Sequence, residues 1–311
     1  MKNKINVLSL FDGLSCGNVA LEKAGIKVNY YASEVDKWAI QIANKNYPGI
    51  IQLGDVLGVK AKDLPKIDLL IGGSPCQDLS FAGKGKGLIE GDRSSLFYQY
   101  VRLLKECKPK YFLLENVRMK QEYQDIISDL LGVQPIKINS SLVSAQNRVR
   151  LYWTNIPNVT QPKDKGLKLK DILEIDGYVD RDKSHCLDAN YFKGGNLKSY
   201  FEKHRRQLVF SDSGLCHVGD ADIKANQSTK RVYHPEGKSP TLTTMGGGHR
   251  EPKVNTSETT YRKLTPLECE RLQTIPDGYS EGVSNSQRYR MLGNSWTADI
   301  IAHLFKGLKD G

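Results

Sequence analysis

The sequence lacks the features that mark membrane, zinc-binding and secreted proteins. No apolar run in its 311 residues approaches the roughly 20 residues that cross a bilayer. The opening Met1-Lys2-Asn3-Lys4 leads into a strand-like segment without a small-residue cleavage site, which argues against a signal peptide. The cysteines form no Cys-x-x-Cys pair. We therefore expect a cytoplasmic protein, nucleoid-associated if its source is a bacterium or a phage, with no metal and no membrane partner.

Positive charge is in excess, but no basic block concentrates it. The formal net charge is +10 at pH 7, and basic proteins gain affinity for nucleic acids by releasing counterions from the phosphate backbone. The excess is shared between residues 1–154 and 155–255, and it vanishes over 256–311. Charge alone leaves a nucleic-acid partner and an ordinary solvated surface equally open.

The dinucleotide fingerprint Gly-x-Gly-x-x-Gly is also missing, yet the chain opens as a nucleotide-binding α/β unit does. A strand over 5–11 leads through the glycine-containing turn 12–17 into a helix over 18–24. Further strands are predicted over 28–32, 67–71 and 111–117, and helices over 37–45 and 96–105. From residue 155 prolines, glycines and weak periodicity predict short strands and loops. The fold class is therefore α/β, with a mixed, mostly parallel sheet and a small irregular domain.

One cysteine lies where a buried thiol is not expected. The apolar run Ile67–Ile71 reads as a buried strand, and Gly72-Gly73 ends it with backbone that can approach another molecule closely. Pro75 then fixes the backbone directly before Cys76. Open α/β sheets place their ligands at the carboxyl ends of their strands. A polar, glycine-flanked loop at this edge favours a functional thiol over a structural one.

These residues resemble the nucleophile loop of the DNA (cytosine-5)-methyltransferases. The resemblance covers nearly the whole chain, in the family's order, except the middle region. Its blocks are Phe11-Asp12-Gly13 with Gly17, Gly72–Gln77 with Ser80–Gly83 and Gly91–Phe97, Glu115-Asn116-Val117, Gln146–Arg150, Ser239–Thr244, Arg262–Gln273 and Tyr289–Trp296. The first block, and Trp296 in place of a more usual Val, are similar to the eukaryotic de novo branch.

The resemblance implies S-adenosyl-L-methionine (SAM) as cofactor, S-adenosyl-L-homocysteine as product and no metal. The matching cofactor positions are Phe11, Gly13, Gly17, Glu34, Val35, Asp55, Pro75, Leu96, Asn294 and Ser295. Glu34 matches the ribose-binding acid, and a carboxylate can accept from both ribose hydroxyls. Without the family context, an acid that faces a helix N-terminus explains Glu34 equally well. Val35 matches the residue against the adenine, and Asp55 the acceptor of its amino group.

The resemblance also implies a covalent mechanism on a flipped-out cytosine. Cytosine C5 is a poor nucleophile, and thiolate attack on C6 makes it enamine-like. Cys76 matches the nucleophile, while Glu115, Arg148 and Arg150 match the groups that stabilise charge on N3 and O2. The target base leaves the duplex stack, and the glycine-rich loop 83–87 fits a lid. The predicted substrate-binding residues are Gln77, Ser80, Lys84, Lys86 and Arg93.

We therefore expect a catalytic domain over 1–156 and 275–311 and a target-recognition domain over 157–274. The expected partner is double-stranded DNA, with a cognate restriction endonuclease as a second possibility and a monomer as the oligomeric state. Three alternatives stay open. The substrate can be RNA, since one family branch modifies transfer RNA with the same residues. The second alternative is a catalytically silent DNA-binding regulator, although such a protein has no reason to retain the catalytic residues. The third is a cysteine hydrolase, which needs a histidine partner, and none of the histidines lies in a recognisable family context.

Overall fold

A seven-stranded sheet forms the centre of the molecule. The computed structural model describes residues 4–75, 94–174, 177–193, 195, 197–210, 217–220, 231–233, 253–254 and 261–309. The strands of the central sheet are β1 Ile5–Leu10, β2 Val28–Ser33, β3 Ile51–Gln52, β4 Leu69–Gly72, β5 Tyr111–Val117, β6 Ile136–Asn139 and β7 Val149–Thr154. The helices are α1 Cys16–Lys23, α2 Lys37–Asn46, α3 Ser94–Cys107, α4 Gln121–Leu131, α5 Leu197–Lys203, α6 Pro266–Leu272, α7 Asn285–Asn294 and α8 Ala298–Leu304. None of the described helices is long and apolar enough to cross a membrane.

The strands follow the order β3-β2-β1-β4-β5-β7-β6. Strands β1 to β5 run parallel to one another, whereas β7 runs antiparallel to both β5 and β6. The predicted mixed, mostly parallel α/β sheet is confirmed. Because β7 is reversed, it starts at the edge where β5 ends, and Arg150 pairs with Val117. The reversal therefore brings the start of β7 to the edge where an α/β sheet binds its ligand.

Both faces of the sheet are buried, which explains the continuous apolar runs in the sequence. Along β4, Leu70 packs on one face with α3 and α4, whereas Leu69 and Ile71 pack on the other with α1 and α8. All three side chains are fully buried. Alternate residues of a strand point to opposite faces, so a strand buried on both sides needs no polar positions.

Two features near β7 differ from the sequence pattern. The apolar stretch from Leu142 suggests one long strand, but β7 begins only at Val149. Side chains of the preceding segment turn inward instead: Ser144 Oγ and Gln146 Nε2 both donate to the carbonyl of Leu272, at 2.6 and 2.8 Å. The structure also adds α4 and β6, which the sequence analysis does not predict.

The middle of the chain forms small sheets, as its composition indicates. Strands β8 Leu208–Phe210 and β12 Tyr261–Lys263 pair with each other, and β9 His217–Asp220, β10 Arg231–Tyr233 and β11 Lys253–Val254 form a second small sheet. Helix α6 follows β12, and its first residues have the types that are typical of a helix start. Thr265 is the N-cap, Pro266 is the first helical residue, and Glu268 completes a capping box with Thr265.

Candidate active site

A cavity of about 500 Å³ opens at the carboxyl ends of the parallel strands. Its volume lies in the range of cofactor-sized pockets. Of the ten residues predicted to bind the cofactor, all but Gly17 line it, and so do Glu115, Arg148 and Arg150. The structure therefore gathers two sequence-predicted groups into one cavity, although they lie on many separate segments.

The loop between β1 and α1 shapes one wall of the cavity through unusual backbone. Phe11, Gly13 and Ser15 have positive φ angles of 57°, 60° and 67°, a region that residues other than glycine rarely adopt. The loop is tied to the next strand because the Asp12 N–H donates to the Ser33 carbonyl at 3.2 Å. This conformation leaves Phe11 and Gly13 facing the cavity.

Backbone amides hold Glu34 in position. Its Oε2 accepts from the Gly13 N–H at 2.7 Å, and its Oε1 accepts from Val35 and Asp36 N–H, each at 2.8 Å. A carboxylate has about four lone-pair sites, and these three N–H groups occupy three of them, so Glu34 keeps one site, on Oε2, for a ribose hydroxyl. Asp55 is similarly oriented, since its Oδ1 accepts from the Leu57 N–H at 2.9 Å.

Gly17 lies beneath the cavity rather than in its wall. A Cβ added there would come within 2.6 Å of both Ile71 Cδ1 and Tyr30 Oη, and 3.6 Å from Trp296 Cζ3. The glycine is needed because α1 approaches the sheet too closely for a side chain. Gly17 therefore allows the start of α1, and with it the loop between β1 and α1, to pack closely against the sheet.

Glu115 is the best-defined candidate catalytic group. It belongs to β5 and is 9% exposed. Its Oε1 lies 3.0 Å from Arg150 Nε, and its Oε2 accepts from Trp296 Nε1–H at 3.0 Å. The buried carboxyl is therefore held by a cation from β7 and by an indole from the segment after α7.

Arg148 is arranged differently from Arg150, although both line the cavity. The residue is 3% exposed, and its guanidinium donates to three main-chain carbonyls. These are Leu187 O at 3.0 Å, Gly293 O at 3.2 Å and Ser295 O at 2.8 Å. Arg148 thus ties β7 to two distant segments of the chain. Burial, with Arg150 nearby, lowers its pKa.

Cys76 and the predicted substrate contacts Gln77, Ser80, Lys84, Lys86 and Arg93 lie outside the described residues. Pro75, directly before Cys76, lines the cavity. Among the described cysteines, burial raises the pKa of Cys16 to about 12 and also raises that of Cys107 and Cys269. None of these three has the depressed pKa of a reactive thiol.

Two residues that are not among the sequence-predicted site residues, Trp296 and Cys186, contact the candidate catalytic groups. Trp296 donates a hydrogen bond to Glu115. The sequence signal that could have pointed to this contact is a tryptophan at a position where Val is more usual. Cys186 Sγ lies 3.4 Å from an Arg148 nitrogen and 3.9 Å from one of Arg150. Burial opposes ionisation of Cys186, but the two guanidinium groups outweigh it and lower its pKa. No spacing motif marks Cys186, since it lies in the irregular middle region.

Comparison with known proteins agrees with this geometry. The model of the C-5 cytosine-specific DNA methylase family matches residues 5–310, so the chain belongs to that family. It is a SAM-dependent DNA cytosine-5 methyltransferase, and the predictions of family, enzyme class and fold are confirmed.

Relatives cover the chain almost end to end. The orphan methyltransferase M.Rho11sI of Bacillus phage rho11s is 26% identical over 493 aligned positions, which cover 98% of each chain. M.SPBetaI of Bacillus phage SPbeta is 27% identical over 439 positions, with the same coverage. Among solved structures, the Entamoeba histolytica methyltransferase EhMeth has a TM-score of 0.71 at 16% identity and 99% coverage of both chains. Dnmt2 of S. pombe has a TM-score of 0.63 at 17% identity and the same coverage. These two structures share the fold.

Proposed function

We propose that the protein methylates C5 of a flipped-out cytosine in double-stranded DNA through a covalent bond between Cys76 Sγ and C6. The observation that supports this most strongly is the Glu115–Arg150 pair in the wall of the cavity. Pro75 brings the chain to the same wall one residue before the thiol. A nucleophile, an acid and a cation around one space are what activation of a pyrimidine ring requires.

The cavity fits SAM by the chemistry of its walls. Glu34 presents a carboxylate to a ribose, Phe11 and Val35 supply apolar surface for an adenine, and Asp55 offers an acceptor to its amino group. Gly13, Pro75, Leu96, Asn294 and Ser295 complete the proposed cofactor contacts, with Gly17 supporting them from below. When bound, SAM supplies the methyl group as an electrophile.

The chain's own residues account for the remaining chemistry. The Cys76 thiolate forms a bond to C6, and the electron pair of the C5–C6 double bond moves toward N3 and O2. Glu115 holds a proton at N3, and Arg150 places positive charge near O2. After C5 has taken up the methyl group, loss of its proton restores the C5–C6 double bond and breaks the bond to Cys76. We assign no residue to that last deprotonation.

The two arginines divide their roles in this proposal. Arg150 pairs with Glu115 and is the cation that faces the base. Arg148 donates to three carbonyls, so it acts as a positioning residue that fixes the floor of the site. Sequence spacing cannot distinguish the two arginines, because it does not show the three distant carbonyls to which Arg148 donates.

We propose that residues 157–274 read the DNA and that residues 1–156 and 275–311 carry the chemistry. Gln77, Ser80, Lys84, Lys86 and Arg93 stay predicted substrate contacts. The monomeric state, the restriction endonuclease partner and the cytoplasmic location likewise stay predictions.

The test is methyl transfer from labelled SAM to unmethylated DNA, with transfer RNA as a parallel substrate. We expect label on C5 of DNA cytosine, and we expect none with Cys76→Ala. Cys107→Ala is the matched control, since that half-buried thiol ends α3 away from the cavity and its loss should leave transfer intact. Label on transfer RNA alone would show that the substrate is RNA rather than DNA. No label on either, with SAM binding intact, would overturn the proposal in favour of the silent regulator.

A further inference from the structure

Glu115 has a second donor that the proposed chemistry does not use. Trp296 Nε1–H donates to Oε2 at 3.0 Å, while Arg150 Nε contacts Oε1 at 3.0 Å. The two donors come from segments that lie 181 and 35 residues from Glu115 along the chain. We propose that Trp296 is a positioning residue that holds the Glu115 carboxyl in the orientation needed to meet N3 of the cytosine. This inference rests on the proposed function.

A donor on each oxygen matters because the carboxyl group otherwise turns easily. The terminal torsion of a glutamate is broad and roughly two-fold, so one contact leaves the plane of the group free to rock about it. Bonds from Arg150 and Trp296 at opposite oxygens define that plane. Each oxygen still has a lone pair, so the group can meet the pyrimidine. Preorganised groups of this kind reduce reorganisation during the reaction.

Trp296 is itself held from several sides, so its indole can act as a fixed donor. It packs against two of the buried clusters that border the central sheet. A Cβ on Gly73 would lie 2.9 Å from Trp296 Nε1 and 3.2 Å from Glu115 Oε2, so glycine at 73 makes room for this contact. The carbonyl of the preceding Ser295 is bound by Arg148.

Trp296 also lines the cavity, so its ring contributes to the cofactor wall. A ring or an aliphatic group suffices for a wall, whereas the N–H is needed only for Glu115. The two roles separate in a reaction that proceeds without SAM. Addition of Cys76 to C6 makes C5 enamine-like, C5 then takes up a solvent proton and loses its original hydrogen, and release of Cys76 regenerates cytosine. Release of tritium from DNA labelled at C5 of cytosine measures this exchange.

The experiment compares Trp296→Phe with Trp153→Phe. The control also removes one indole donor, since Trp153 Nε1–H donates to Ser128 Oγ at 2.9 Å within the core, but Trp153 does not line the cavity. We expect Trp296→Phe to slow tritium release about tenfold or more, the effect of one lost hydrogen bond on a charged transition state. We expect Trp153→Phe to leave the rate within about twofold, because it removes a hydrogen bond of similar strength away from the site.

Two further measurements guard against a merely structural effect. In a Glu115→Gln background, which slows exchange by itself, Trp296→Phe should add little if the indole acts through that carboxyl. In ¹H–¹⁵N spectra, the indole resonance of Trp296 should move on Glu115→Ala, while those of Trp38 and Trp153 stay in place. This readout needs no activity and no folded Trp296 variant.

A wild-type rate of tritium release in Trp296→Phe would overturn the inference. So would a Trp296 indole resonance that keeps its position in Glu115→Ala. Slower exchange that is equally large in the Glu115→Gln background would also overturn it. Absence of exchange and of methyl transfer in the wild-type protein would instead overturn the proposed function, and the inference with it.

Discussion

Replacing Arg148 by methionine should destabilise the protein more than its position beside the cavity suggests. Arg148 is 3% exposed, and the three carbonyls to which its guanidinium donates belong to Leu187, Gly293 and Ser295. Methionine retains the apolar stem of the side chain but offers no donor and no charge. The substitution therefore removes the guanidinium group and keeps the aliphatic part of the residue.

The expected loss follows from the acceptors left behind. A buried acceptor without a partner costs about 1–3 kcal/mol, and Arg148→Met removes a donor from three main-chain carbonyls. We expect about 3–5 kcal/mol for Arg148→Met, against a total stability of roughly 5–15 kcal/mol for a typical protein. The three bonds are not additive, since the carbonyls lie around one group and can reach water together.

Arg102→Met is the matched control. Arg102 also donates to two main-chain carbonyls, Val56 O at 3.3 Å and Val59 O at 3.0 Å, but its side chain is 31% exposed. Water can replace it, so the loss should be about 1 kcal/mol. Urea unfolding followed by circular dichroism gives both values. A midpoint for Arg148→Met as high as that for Arg102→Met would refute the reasoning.

Three other perturbations test separate parts of the structure. Gly73→Ala should lower the rate of methyl transfer about tenfold, because its Cβ would lie only 2.9 Å from Trp296 Nε1. Gly58→Ala is the control, since open space surrounds Gly58 and the rate should not change. Equal rates of methyl transfer for the two variants would contradict the predicted effect of the contact. Burial raises the pKa of Asp12 from 3.8 to about 6, so its contribution to stability is fully present below about pH 4 and is lost as the pH rises through about 6. The urea midpoint of the wild-type protein should therefore fall between pH 4 and pH 7, and that of Asp12→Asn should fall less. Parallel curves of midpoint against pH for the two proteins would contradict this role of Asp12. Thr265→Ala should cost about 1 kcal/mol of unfolding free energy by removing the N-cap, whereas Thr265→Ser should retain it, and equal midpoints for the two variants would argue against the cap.

Much of the central sheet is predictable from the sequence, because strands that are buried on both faces appear as continuous apolar runs. The strand Tyr111–Val117 matches its apolar run, and the helix that starts at Pro266 matches its cap and proline. Helix Gln121–Leu131 is not predicted above, although its apolar residues recur at helical spacing. Strand Ile136–Asn139 is four residues long, half-buried and at the sheet edge, which is too short for alternation to show.

The site is predictable only as a set of residue types. Family resemblance places Glu115 and both arginines in one cavity, and the structure agrees. It does not distinguish the arginines, since the carbonyls that occupy Arg148 lie up to 147 residues away. Nor does it connect Trp296 with Glu115, because a contact across 181 residues depends on how the chain returns to the sheet.

The pairing of β8 with β12 has a practical consequence for engineering. Phe210 lies opposite Tyr261 in that antiparallel ladder, so these two residues are adjacent in space although many positions separate them along the chain. Closing a longer loop between fixed ends costs only slowly increasing entropy. A stretch of another enzyme that replaces residues 211–260 would therefore begin and end at adjacent points, and we expect such an exchange, even with a different length, to leave Arg148 and Glu115 in place. A transplant joined at this ladder would ask directly whether sequence preference travels with the inserted stretch.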